Sequence, residues 1–121
     1  MTKYCLKYLS FSTLFLAGMT ALGQAPRSEI IDEINRVEAV YREVAWTYPV
    51  YFKSSDSVKF RVIHKKALED LPTAPMPKDS KGRMTFMEGF FLSVYHEMFY
   101  DLPEDFPSTV RKKLEETPAN N

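Results

Sequence analysis

The segment 84–102, MTFMEGFFLSVYHEMFYDL, constrains the fold most, because it is the most apolar stretch of the chain after residue 23. Thr85 and Glu88 have the spacing of a capping box, in which each side chain satisfies a free backbone N–H at a helix start. Pro103 disfavours helical geometry in the residue before it, which predicts the helix end near residue 102. The sequence therefore predicts a central, buried helix over 84–102. Its apolar residues cover a broad arc, which indicates contact with several neighbouring elements; they are Met87, Phe91, Leu92, Val94, Tyr95, Met98, Phe99 and Leu102.

The first 23 residues have the pattern of a secretory signal peptide. Lys3 and Lys7 supply a positive start, and the stretch 8–22 that follows is mostly apolar. Small residues close the segment and predict cleavage before Gln24. An uncleaved anchor is the alternative, but the apolar run is short for a membrane span. We therefore expect an exported protein, periplasmic or extracellular, that touches the membrane only through segment 1–23 before cleavage.

Cleavage at this point would remove the single cysteine, Cys5. The remaining segment, 24–121, would then have no disulfide, no thiolate metal ligand and no cysteine nucleophile. Its length suits one small domain whose stability depends on hydrophobic packing. We predict a single helical domain over 24–121 that ends in a frayed tail at 117–121.

Three further helices are predicted, over 28–48, 56–71 and 107–116, so the expected fold is all-α with four helices packed around the segment 84–102. The second of these helices is ambiguous, because apolar and charged residues alternate over 58–62 as they would in a strand. The alternative is an α+β fold with a hairpin over 48–63. In the first helix, apolar residues recur at spacings of four and three, as on one face of a bundle; they are Ile30, Ile34, Val37, Tyr41, Val44 and Tyr48.

The charge balance argues against a nucleic-acid binder. The full chain has 16 basic and 16 acidic residues, and segment 1–23 contains two lysines and no acid, so 24–121 has a net charge of −2. Nucleic-acid-binding domains usually have a strong basic excess. The charges are unevenly placed, with a cationic stretch at 53–66 and an acidic one at 84–110. These stretches either form two solvated faces or steer a charged partner.

Aromatic residues are concentrated at the predicted end of the first helix, in the segment 46–52. Aromatic side chains bury a large area with few rotatable bonds, which is why they are enriched at protein–protein binding hot spots. The same residues would equally close the core of a small domain without disulfides. The candidates for partner binding are Trp46, Tyr48, Tyr51 and Phe52.

A polar line on the helix predicted at 84–102 is a second candidate site, for a small ligand, a metal ion or a hydrolytic reaction. Its members are Ser93, His96, Glu97 and Tyr100. His96 could act as a base or a ligand, because imidazole changes its charge near neutral pH. The alternative is that these residues make ordinary hydrogen bonds at the boundary of the core.

Catalytic and metal-binding motifs are missing from the sequence. The zinc-protease pattern HExxH fails after His96 and Glu97, because position 100 is a tyrosine. No phosphate-binding glycine loop or nucleophile elbow is present, and the segment 24–121 has only two glycines. We therefore expect no enzyme, no metal and no cofactor.

The expectation that best combines these features is an exported helical protein that binds another envelope or secreted protein. An inhibitor, an immunity-type protein and an accessory subunit all work in this way. A small-ligand or metal-binding module is the first alternative, and a small hydrolase is the second. Both alternatives would use the polar line of Ser93, His96, Glu97 and Tyr100.

Overall fold

Residues 27–116, which the computed structural model describes, form an all-helical fold, as predicted. The predicted signal peptide, its cleavage before Gln24 and the predicted frayed tail at 117–121 lie outside the described residues. Within the described range there are four α-helices and two 3-10 turns. The helices are α1 (Arg27–Ala45), α2 (Ser57–Asp70), α3 (Ser80–Met98) and α4 (Phe106–Glu116), and the turns are Ser54–Asp56 and Leu71–Thr73.

α1 forms where the alternating apolar spacing predicts a helix, but it ends at Ala45 rather than at residue 48. Pro49 explains the early end, because proline disfavours helical geometry in the residue before it, and the Thr47 N–H donates to the Val44 carbonyl at 2.9 Å, three residues back rather than four. The Tyr48 N–H then donates to the Ala45 carbonyl at 3.0 Å and closes a turn. This turn starts the connection 46–53, which carries the predicted aromatic candidates.

The alternative hairpin over 48–63 is wrong, because residues 57–63 lie in α2 and the part of the chain from 27 to 116 contains no strand. Phe60, Ile63 and Ala67 are buried at helical spacing, whereas Val58 and Val62 are exposed. A helix buries the larger apolar set, and this burial outweighs the local alternation of apolar and charged residues.

α3 begins four residues earlier than predicted. Its N-cap is Asp79, whose carboxylate accepts a hydrogen bond from the Gly82 N–H at 2.9 Å. The capping box proposed for Thr85 and Glu88 is therefore wrong. Thr85 lies inside the helix, and its hydroxyl donates to the Lys81 carbonyl at 3.2 Å.

α3 also ends earlier than predicted, at Met98 rather than at residue 102. Phe99 adopts an extended backbone with φ of −120° and ψ of 136°. Its side chain is buried, with its ring centroid 4.8 Å from that of Phe52. Tyr100 and the residues up to 102 therefore lie outside the helix, because the chain leaves the helix to place Phe99 in the core.

The core contains a cluster of aromatic rings contributed by all four helices and the segments between them. Tyr95 of α3 contacts every other member, with ring-centroid distances from 5.4 to 6.2 Å. α1 packs against each of the other helices, and α3 packs against α1 and α2. We call this set the aromatic cluster; it consists of Tyr41, Phe52, Phe60, Tyr95, Phe99 and Phe106.

A buried arginine joins the first turns of α1 and α3. Arg83 is 3% exposed, and its Nε and Nη2 donate to the two carboxylate oxygens of Glu33 at 2.7 and 2.8 Å. Nη2 also lies 3.4 Å from Glu29, and Nη1 donates to the Lys78 carbonyl. The hydrogen bond to Glu33 raises the pKa of Arg83 above its usual value. This network holds the start of α3 against α1.

Replacing Arg83 by Ala should lower the free energy of unfolding by about 3 kcal/mol, because it leaves the Glu33 carboxylate without its partner. The matched control is Arg111→Ala, which breaks the exposed Arg111–Glu88 pair at 2.8 Å. That change should cost less than about 1 kcal/mol. Urea denaturation measures both values, and equal losses would contradict the structural role of Arg83.

The Tyr95 hydroxyl is fully buried and makes no hydrogen bond to any described residue. An unsatisfied buried donor costs about 1–3 kcal/mol. Tyr95→Phe should therefore leave the domain equally stable or raise its free energy of unfolding by about 1 kcal/mol. Urea denaturation at neutral pH tests this, and a clear loss of stability would show that the hydroxyl has a partner in solution.

Alkaline pH should destabilise the domain through its buried tyrosines. Burial is the main cause that raises the pKa of Tyr41 and Tyr95 far above the usual value of 10.0. Below pH 10 both states keep the phenol protons, but above it the unfolded tyrosines ionise while the folded ones do not. The free energy of unfolding should then fall by about 1.4 kcal/mol per pH unit for each tyrosine. Tyr95→Phe should halve the dependence of the free energy of unfolding on pH above pH 10. An unchanged dependence would show that the buried Tyr95 does not cause it.

Candidate functional site

Large apolar side chains are exposed on both sides of the start of α2. Trp46 is 41% exposed, Tyr51 39% and Val50 77%, and Tyr100 is fully exposed. We call these four residues, three aromatic and one aliphatic, the aromatic surface. They come from the connection after α1 and from the segment after α3, which the fold brings together at the first turns of α2.

Two depressions contain the aromatic surface, and each is lined in part by residues from the first turns of α2, although no residue lines both. The residues that line the Trp46 depression are Glu38, Arg42, Trp46, Ser57, Phe60, Arg61 and His64. The residues that line the Tyr51 depression are Val50, Tyr51, Asp56, Lys59, Phe99, Tyr100 and Asp101.

Neighbouring rings support Trp46 and Tyr51. The Trp46 ring lies 5.0 Å from Phe60, a member of the aromatic cluster, and the Tyr51 ring lies 6.3 Å from Tyr48 at 90°. Tyr100 directly follows Phe99, which is buried in the same cluster. Residues held on a packed core lose little freedom when they bind, which suits a hot spot.

The connection 46–53 places the four predicted partner-binding residues differently. Trp46 and Tyr51 are exposed, whereas Phe52 is buried and Tyr48 is half-buried. Backbone turns separate them, because the Tyr48 carbonyl accepts hydrogen bonds from the N–H groups of both Tyr51 and Phe52 at 3.0 Å. The Tyr48 hydroxyl lies 3.0 Å from a carboxylate oxygen of Asp105. Tyr48 and Phe52 therefore pack within the domain, and Trp46 and Tyr51 remain accessible.

Three of the four residues of the polar line predicted on α3 lie on that helix, and the fourth, Tyr100, does not. His96 and Glu97 are exposed on the last turn of α3, and Ser93 is partly exposed one turn earlier. Tyr100 lies beyond the helix end and belongs to the Tyr51 depression instead. Within residues 27–116, no group of three or more metal-ligating side chains is placed to hold a metal ion.

A buried carboxylate in the Trp46 depression was missed by sequence reasoning. Glu38 is 2% exposed, and it accepts hydrogen bonds from Nε and Nη2 of Arg42 at 3.1 and 3.2 Å. His64 Nδ1 lies 3.7 Å from the same carboxylate, and His64 Nε2 is hydrogen bonded to Asn35 Oδ1 at 2.7 Å. His64 is therefore tied to polar groups at the edge of the core. The spacing of Glu38 and Arg42, one helical turn apart, is the sequence signal that could have indicated the pair.

A separate groove lies between α1, α3 and α4. Its volume of about 300 Å³ is at the low end for small-molecule pockets. Tyr41 forms part of its wall, and the Glu88–Arg111 ion pair joins α3 to α4 beside it. Other apolar residues of its wall are Val37, Met84, Val110 and Leu114.

Among residues 27–116, no helix has the length and apolar character needed to cross a membrane. Comparisons of the chain with protein-family models, with curated proteins and with solved structures found no match.

Proposed function

We propose that this chain is an exported helical protein that binds another protein through the aromatic surface. The observation that supports the proposal is the exposure of Trp46, Val50, Tyr51 and Tyr100 around the first turns of α2. Tryptophan and tyrosine contribute most to binding when they are held rigidly and lose water on contact.

The chemistry of the surface suits a binding role. Its exposed rings offer area and shape, and the side chains beside them are charged groups that can match a partner. An inhibitor, an immunity-type protein or an accessory subunit needs no catalytic group for this task. Export rests on the sequence pattern of segment 1–23, which would bring the domain to envelope or secreted partners.

The experiment begins with the full-length chain, tagged at its C terminus and expressed in its own host. Cross-linking followed by mass spectrometry identifies a stoichiometric partner, and biolayer interferometry then measures its affinity. Trp46→Ala and Tyr51→Ala should each weaken binding by about tenfold or more, because each removes a supported ring from the contact. Val62→Ala is the matched control, since Val62 is 46% exposed on α2 but lines neither depression.

The control should change the affinity by less than about twofold, as expected for a side chain outside the contact. Circular dichroism and thermal unfolding establish that each variant keeps the fold. A folded Trp46→Ala, Tyr51→Ala double variant that still binds the partner normally would exclude the aromatic surface. The absence of any stoichiometric partner would refute the protein-binding function.

A further inference from the structure

Resting on the proposed function, we infer that the Trp46 depression accepts an acidic side chain of the partner protein. Arg42 and Arg61 bind the aspartate or glutamate carboxylate, and an apolar residue next to it in the partner packs on Trp46.

Arg42 is held in a fixed orientation by Glu38, and this is the first observation that supports the inference. A guanidinium has five N–H donors, and Glu38 occupies one on Nε and one on Nη2. Three donors remain on a side chain that is 44% exposed at the depression. A guanidinium fixed in orientation is well suited to a carboxylate, because its planar fork matches the two oxygens. Glu38 itself is too deeply buried to meet a partner and acts as a positioning residue for Arg42.

The second support is the local charge. Arg61 is exposed and lines the same depression as Arg42, so two arginines face a single acid, Glu38, and the arginines and the acid together have a net charge of +1. The Tyr51 depression has the opposite balance, with Lys59 against two aspartates, and Lys59 lies 3.4 Å from one of them. Charge complementarity therefore assigns an acidic group to the Trp46 depression specifically.

The third support is the apolar floor beside the arginines. The Trp46 ring leans against Phe60 at an interplanar angle of 57° and leaves much of its surface open. A partner residue that packs there would shield the neighbouring carboxylate from water. Removal of water strengthens the contact between the carboxylate and the arginines. The depression thus favours an acidic residue next to an apolar one over an acidic residue alone.

The test is selection of displayed random 12-residue peptides on the immobilised full-length protein, with counter-selection against the Trp46→Ala variant. Enriched peptides should contain Asp or Glu within two positions of an aromatic or large aliphatic residue. Changing that acid to its amide should weaken binding about tenfold, and so should Arg42→Gln or Arg61→Gln in the protein. The amide peptide should bind an arginine variant with an affinity reduced by much less than the product of the two separate effects, because the change in the peptide and the change in the protein remove the same contact.

Lys112→Gln is the matched control, because it removes one exposed positive charge from α4, outside the depression. It should change peptide affinity by less than about twofold. Arg61 is exposed, so Arg61→Gln should leave the fold intact and decides the question even if Arg42→Gln disturbs the fold.

Peptides that need Trp46 but carry no acid, or that bind the Arg42→Gln and Arg61→Gln variants normally, would overturn this inference and leave the proposed function intact. Enrichment of basic peptides would also overturn it. Selection that yields no peptide dependent on Trp46 would count against both the inference and the proposed binding surface.

Discussion

The packing of aromatic rings around Tyr95 is the interaction on which the rest of the structure depends. The ring contacts reach α1 through Tyr41, α2 through Phe60 and α4 through Phe106, so one cluster joins every helix. The only cysteine of the chain is Cys5, which lies far from this core in sequence. Large buried rings therefore provide the cohesion that other small domains often obtain from disulfides.

The same cluster prepares the surface that we propose for binding. Phe60 contacts Trp46 on its outer side and Phe99 on its inner side, and Phe99 fixes the backbone that presents Tyr100. A ring that is already held in place by the core loses little entropy when a partner covers it. Stability and binding thus depend on adjacent residues, which explains why a dense aromatic sequence could be interpreted as either core or interface.

Local patterns in the sequence predicted the helical class and placed α1, α2 and α4 to within a few residues. They failed where contacts between distant residues decide the structure. The start of α3 has a local cap in Asp79, but its position against α1 depends on Arg83 reaching Glu33, which lies 50 positions away, and its end depends on the burial of Phe99. The candidate site shows the same limit. The exposure of Trp46 depends on how its ring packs on Phe60, and the local sequence does not predict that contact.

Two charged side chains are buried in the described range, and their hydrogen-bond partners differ. Arg83 bonds to a residue on another helix, so its burial is explained by the link between α1 and α3. Glu38 bonds instead to Arg42 on its own helix, and its contact with His64 of α2 is longer, at 3.7 Å. Burying a carboxylate costs several kcal/mol unless its partners compensate. Arg42 supplies most of that compensation for Glu38, and the same hydrogen bonds fix the orientation of Arg42 at the surface.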